Sequence, residues 1–132
     1  MAKTILIVDD NEDTREVTES CLRGHDYAVV TAPDGPRALE YVRRQPPDCI
    51  LLDVMMPCMS GLEVLARLRE HPPTAAIPVI LVTARSHNDD LLSGYKEGAD
   101  YYITKPFSAE QLLYGIRMVL GAATTSGAKQ EP

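Results

Sequence analysis

The sequence has few aromatic residues, few cysteines and no long apolar run. Among its 132 residues there is no tryptophan, one phenylalanine and three cysteines. Cys21, Cys49 and Cys58 form no C-x-x-C pair and leave an odd thiol, which fits a reducing compartment better than a disulfide framework. Apolar runs such as Ile5–Val8 and Val79–Val82 are far shorter than the ~20 residues that cross a bilayer, so no membrane span is expected.

Positively charged residues are also fewer than negatively charged ones. The chain carries 13 Lys and Arg residues against 19 Asp and Glu residues, which gives a net charge of −6 and a pI near 5.0. Because binding to a nucleic-acid duplex requires clustered cations, we expect no direct contact with nucleic acid. The first residues, MAKTILIVDD, lead straight into a strand pattern and lack the apolar stretch of a signal peptide. We therefore expect a cytoplasmic protein.

Five β-rich runs alternate along the chain with segments of helical periodicity. The runs are Thr4–Val8, Tyr27–Thr31, Cys49–Leu52, Val79–Val82 and Tyr101–Thr104. They begin roughly 20 to 30 residues apart, which leaves room for one helix between parallel strands. The middle runs are apolar without alternation, as expected for strands covered on both faces. The pattern predicts an α/β fold, (βα)5, with a doubly wound five-stranded parallel sheet and right-handed crossovers.

Capping signals mark the predicted helices. Ser60 with Glu63, and Ser108 with Gln111, have the spacing of capping boxes, in which side chain and backbone satisfy each other at a helix start. The fourth of the five helices is predicted around residues 91–95, where leucines and a tyrosine recur at helical spacing.

The length of the chain allows one domain with a single core. Gly121 suits the C-terminal end of the last helix, and residues 122–132 contain no large apolar residue. We therefore predict one domain at residues 1–121, followed by a flexible tail or the start of a linker at residues 122–132.

Charged and hydroxyl side chains stand at the ends of four predicted strands. Asp9 and Asp10 follow the first strand, Asp53 follows the third, Thr83 ends the fourth and Lys105 follows the fifth. Each has an ordinary structural explanation on its own, as a helix cap, a turn residue or a solvated charge. Ligands of open α/β sheets, however, bind beyond the carboxyl ends of the strands. All five residues are expected at that edge, which favours a functional site.

Three carboxylates at one edge predict a cation site. Crowded carboxylates cannot all stay ionised unless a pKa rises or a cation binds. Oxygen ligands without thiolate or imidazole suit a hard divalent ion, and Mg²⁺ commonly uses one or two carboxylates together with phosphate and water. A carboxylate beside Mg²⁺ and a lysine is the arrangement of a phosphoryl-transfer site.

Four motifs resemble those of the receiver domain of bacterial two-component response regulators. They are IVDDNEDTR, ILLDVMMPCMSGLEVL, ILVTA and GADYYITKPF, and the similarity covers roughly residues 3–121. It implies a flavodoxin-like strand order of 2-1-3-4-5 and a protein that accepts a phosphoryl group from a sensor histidine kinase or a phosphotransfer protein. It implies no other enzymatic activity than Mg²⁺-dependent self-phosphorylation and self-dephosphorylation.

The resemblance also assigns roles around the acceptor. It makes Asp53 the phosphoacceptor and implies Mg²⁺ bound by Asp10, Asp53 and the backbone carbonyl of Met55, with Asp9 acting through a water molecule. Because Met55 and Arg85 overhang the approach of the hydrolytic water in this family and neither can activate it, they are expected to lengthen the life of the acyl phosphate.

Further residues are assigned to the phosphoryl contact and to the switch. By the same resemblance, Lys105 pairs with the phosphoryl oxygens, Thr83 and the Ala84 amide contact the phosphoryl group, and Thr83 with Tyr102 forms the switch. Lys105–Pro106 is implied to be a cis bond. The output partner, whose identity the sequence does not give, is expected on the face made by the fourth helix, the fifth strand and the fifth helix.

Three other functions match the sequence less well. A pseudo-receiver would lack the acidic pair, the acceptor or the lysine, all of which are present. A haloacid-dehalogenase-like phosphatase would need D-x-D after the first strand, where this chain has Asp9-Asp10-Asn11. A flavodoxin would need a Ser/Thr/Gly-rich phosphate loop at the same place, and here that loop is acidic. All three remain as minor alternatives.

Overall fold

A computed structural model describes residues 2–84 and 98–124 of the chain. The strands are β1 (Lys3–Val8), β2 (Tyr27–Ala32), β3 (Cys49–Asp53), β4 (Val79–Ala84) and β5 (Tyr101–Lys105). The helices are α1 (Glu12–Leu22), α2 (Gly35–Arg44), α3 (Gly61–Glu70), a 3₁₀ turn at Pro72–Thr74 and the last helix at Ala109–Thr124. The predicted fourth helix lies outside the described residues. Within them, no helix has the length and apolar character needed to cross a membrane.

The five strands form one parallel sheet in the order β2-β1-β3-β4-β5. This order confirms the predicted doubly wound fold. The strands extend one or two residues beyond the predicted runs, because backbone pairing continues into flanking residues such as Lys3, Asp53 and Lys105. Asp53 pairs with Val82 and Lys105 pairs with Ala84, so both charged residues end a strand instead of following it.

Alternation along each strand divides the core into two layers. On one face, Leu6 and Leu52 pack with α2 and α3, as represented by Leu65. On the other face, Ile7 and its neighbours pack with Leu22 of α1 and with the last helix. The central strands are buried on both faces, as their continuous apolar runs predicted.

Capping follows the sequence signals closely. Ser60 and Glu63 form both hydrogen bonds of the predicted capping box at the start of α3. Ser108 and Gln111 do the same at the start of the last helix. The predicted helix end at Gly121 is wrong, because that helix continues to Thr124. A glycine inside a helix costs only about 1 kcal/mol relative to alanine, so it does not force a stop.

Arg69 connects the end of α3 to the amino ends of β4 and β5. Its guanidinium donates hydrogen bonds to the carbonyl oxygens of Ala75, Ile77 and Gly98, at 2.8 to 3.1 Å, and to the carboxylate of Asp100. Asp100 in turn accepts from the Val79 backbone N–H. These bonds lie at the opposite edge of the sheet from the acidic cluster.

Candidate phosphoacceptor site

The sheet brings the predicted charged residues together. One carboxylate oxygen from each of Asp9, Asp10 and Asp53 lies within 4.8 Å of the others. The Lys105 ammonium nitrogen lies 3.4 Å from Asp9 Oδ2 and 3.5 Å from Asp53 Oδ1. The convergence follows from topology, because β1, β3, β4 and β5 are parallel and their carboxyl ends share one edge.

The loop after β1 holds one aspartate buried and leaves the other exposed. Asp9 is 4 % exposed, whereas Asp10 faces solvent. Asp9 Oδ1 accepts a hydrogen bond from the Asn11 backbone N–H, at 2.9 Å. The Asn11 side chain caps α1 by accepting from the Thr14 N–H. The two oxygens of Asp9 therefore face Asn11 and Lys105, while the Asp10 carboxylate stays open to a ligand.

Close backbone packing positions the end of β3, which carries Asp53. The Gly61 N–H donates to the Val54 carbonyl at 2.9 Å, which brings the start of α3 against the end of β3. A Cβ atom built on Gly61 would lie 2.2 Å from the Asp53 carbonyl oxygen. Only glycine fits this approach. On the neighbouring side, the Lys105–Pro106 peptide bond is cis, in agreement with the resemblance.

The environment of Asp53 disfavours its ionised form. Burial raises its pKa to about 6, and the nearby negative charge of Asp9 acts in the same direction. The Lys105 ammonium and a hydrogen bond from the Met55 backbone oppose these effects without cancelling them. Asp53 is 5 % exposed, so solvent does little to screen the repulsion. Among the described residues, three carboxylates thus lie around one lysine ammonium group.

Most of the other predicted residues lie in the part of the chain that the structure describes, and their roles remain predictions. Thr83 is buried, and its hydroxyl donates a long bond of 3.4 Å to the Ala84 carbonyl. Tyr102 is half-buried and packs against the core layer that includes α2 and α3. Met55, two residues after Asp53, is 54 % exposed. Arg85 lies outside the described residues.

Two residues near the cluster were not predicted from the sequence. Asn11 supplies both the α1 cap and the N–H bonded to Asp9. Arg15 donates a 2.7 Å hydrogen bond from Nη1 to the Asp9 carbonyl oxygen. A helix cap after an acidic pair, and a cation in a first helical turn, are the signals that could have identified them.

Comparison with known proteins gives one consistent family. The family described as the response regulator receiver domain matches residues 5–117. The probable transcriptional regulatory protein TcrX of Mycobacterium tuberculosis is 43% identical over 117 residues, which cover 89% of this chain and 49% of that protein. This chain thus spans about half the length of that curated relative.

Solved structures agree with the sequence relatives. A putative response regulator from Chloroflexus aurantiacus matches with a TM-score of 0.89 and 34% identity, over 92% of this chain and 99% of that chain. The chemotaxis protein CheY4 of Vibrio cholerae matches with a TM-score of 0.85 and 31% identity, over 91% of this chain and 100% of that chain. Fold, site and sequence similarity together establish that the chain belongs to the response regulator receiver domain family.

Proposed function

We propose that this chain receives a phosphoryl group on Asp53 from a phosphohistidine of a histidine kinase or phosphotransfer protein. An Asp53 carboxylate oxygen attacks phosphorus, the P–N bond breaks, and the histidine nitrogen leaves, which produces an acyl phosphate. The observation that carries the proposal is a buried carboxylate with an ammonium nitrogen 3.5 Å away and two more carboxylates around it. Lys105 is placed to neutralise the phosphoryl oxygens as negative charge develops.

The donor set fits a Mg²⁺ ion. Asp9, Asp10 and Asp53 offer only oxygen atoms, and their mutual repulsion would be relieved by a divalent cation. We propose that Asp10, Asp53 and the Met55 backbone carbonyl hold the ion directly. Because the Asp9 oxygens already face Asn11 and Lys105, Asp9 would contribute through water. When bound, the ion would balance the charge on the phosphoryl oxygens.

Replacing Asp53 with asparagine tests the acceptor. The amide cannot form an acyl phosphate, so Asp53→Asn should incorporate no acid-labile phosphate from acetyl phosphate or from a phosphorylated kinase. Asp13→Asn, an exposed residue in the first turn of α1, is the matched control and should be labelled normally. Equal labelling of both variants would rule out Asp53 as the acceptor.

Mg²⁺ should stabilise the folded chain, because only the native state assembles the cluster. At ten times its Kd, the ion should add about 1.4 kcal/mol to the free energy of unfolding. That corresponds to a rise of roughly 4 °C in melting temperature. Asp10→Ala should lose most of this gain. NaCl at equal ionic strength is the control for screening, and an equal rise with both salts would contradict a specific site.

The switch and the output are further parts of this proposal. After phosphorylation, Thr83 and the Ala84 amide would satisfy phosphoryl oxygens, and Tyr102 would move with Thr83. The altered face would include β5 and the last helix, where an output partner would dock. Met55 is proposed to cover the approach of the hydrolytic water. The curated relative is about twice the length of this chain. What the whole protein does after phosphorylation is therefore also part of the proposal.

A further inference from the structure

Arg15 is a cation in the first turn of a helix. Its backbone N–H donates to the Asn11 carbonyl, which closes that turn of α1. A positive charge is unfavourable there, because the helix dipole is positive at its amino end. Side chains of a helix lean toward its amino end. The half-buried Arg15 side chain accordingly reaches back, and its Nη1 donates a hydrogen bond to the Asp9 carbonyl oxygen at 2.7 Å. The contact joins α1 to the loop that carries the acidic pair.

This hydrogen bond occupies the remaining polar group of Asp9. The Asp9 N–H donates to the Ala32 carbonyl at 3.2 Å, and its two carboxylate oxygens face Asn11 and Lys105. The carbonyl oxygen is the fourth group, and Arg15 is its donor. Each of the four polar groups of Asp9 therefore has a hydrogen-bond partner.

The consequence reaches Asp10 through the peptide bond. The Asp9 carbonyl and the Asp10 N–H belong to one planar unit, so fixing the carbonyl sets where the Asp10 backbone begins. Across residues 2–84 and 98–124, no hydrogen bond or ion pair holds the Asp10 carboxylate. Its position relative to Asp53 thus depends on the backbone of the loop.

We propose that Arg15 is a positioning residue for the cation site. Its guanidinium holds the Asp9–Asp10 peptide in the orientation that lets Asp10 and Asp53 share one ion. The inference rests on the proposed Mg²⁺ site and adds a residue to it that touches neither the ion nor the phosphoryl group.

A positioning role and a purely electrostatic role predict opposite changes in Mg²⁺ affinity when Arg15 is replaced. If only charge mattered, removing a cation beside the cluster would strengthen Mg²⁺ binding. If the hydrogen bond positions Asp10, removing it weakens binding. Supporting groups of this kind change metal affinity about 10-fold or more in other sites.

The experiment is a Mg²⁺ titration of the full chain by calorimetry, well below the melting temperature of each variant. Arg15→Met should bind about 10-fold more weakly than the wild type. Arg15→Lys keeps the charge and can still donate a hydrogen bond, so its Mg²⁺ affinity should lie between those of Arg15→Met and the wild type. This variant also tests the proposal if Arg15→Met does not fold. Arg23→Met removes the same charge at the far end of α1, where Arg23 pairs with Glu19, and should change affinity by less than about 2-fold.

The outcomes separate this proposal from the metal site itself. Unchanged or tighter binding by Arg15→Met, or weaker binding by Arg15→Lys than by Arg15→Met, would overturn the positioning role. Asp10→Asn serves as the reference for the site. If Asp10→Asn binds Mg²⁺ as tightly as the wild type, the proposed metal site fails, and the role of Arg15 fails with it.

Discussion

Asp53→Asn is expected to stabilise the metal-free protein at pH 7 by about 2 kcal/mol. The pKa of Asp53 is raised from 3.8 to about 6 by burial and by the charge of Asp9, so ionising it in the folded state costs free energy. One pKa unit corresponds to about 1.4 kcal/mol, which sets an upper limit near 3 kcal/mol. Asparagine has nearly the same shape and no charge. The residue proposed for phosphoryl transfer therefore lowers the stability of its own fold.

The sign of the pH dependence follows from the raised value. A carboxyl whose folded pKa exceeds its unfolded pKa stabilises the protein below about pH 4, and this contribution is lost as the pH rises through about 6. The advantage of Asp53→Asn should thus be small near pH 4 and complete above pH 7. Urea unfolding in the presence of a chelator at pH 4.5, 6 and 7.5 would measure it.

The control is Asp13→Asn, a change of the same kind at an exposed position on α1. It should alter the free energy of unfolding by no more than about 0.5 kcal/mol. A gain for Asp53→Asn that is the same at every pH would exclude ionisation of Asp53 as its cause. A loss of stability at pH 7.5 would show that the pairing with Lys105 outweighs the cost of burial.

Gly61→Ala should have the largest effect of opposite sign, a loss of about 3 kcal/mol or more. The new Cβ would lie 2.2 Å from the Asp53 carbonyl oxygen and 2.9 Å from the Val54 Cα. Both are backbone atoms, so no side-chain rotation relieves the overlap, and α3 or the end of β3 must move. Urea unfolding would give the loss in stability, and the Mg²⁺ titration would report the displaced Asp53.

Gly121→Ala is the matched control, since the same methyl group is added inside the last helix. Among the described residues, and apart from its chain neighbours and the backbone of its own helix, no heavy atom lies within 4 Å of the ideal Cβ of Gly121. Alanine also favours a helix over glycine by about 0.5–1 kcal/mol, so this variant should be slightly more stable. If Gly61→Ala lost less than about 1 kcal/mol, the close approach of α3 to β3 would not constrain the position of Asp53.

The position of the site could be predicted, because it depends on strand direction alone. Asp53 and Lys105 lie far apart in sequence, yet parallel pairing puts both at one edge of the sheet. The burial of individual residues could not be predicted in this way. Asp9 and Asp10 are neighbours with the same side chain, and only the loop conformation decides which is buried. The hydrogen bond from Arg15 depends on that same conformation.

Local backbone conformation was likewise outside the reach of sequence patterns. Cys58 has a φ of 71°, a region that costs most side chains about 1–2 kcal/mol. The residue type at position 58 does not indicate a positive φ, because cysteine has no turn preference comparable to that of glycine or asparagine. The predicted helix end at Gly121 was wrong because a single helix-weakening residue rarely outweighs the surrounding turns.

The order of the strands makes the two halves of the site unequal in local stability. β1 and β3, which lead to the carboxylates, are each paired on both sides. β5, which ends at Lys105, is paired only with β4 in the described sheet. Edge elements open at less cost than central ones, so their amides exchange with solvent earlier. Lys105 is therefore expected to move away from Asp53 in a partial opening of β5 that keeps β1 and β3 paired.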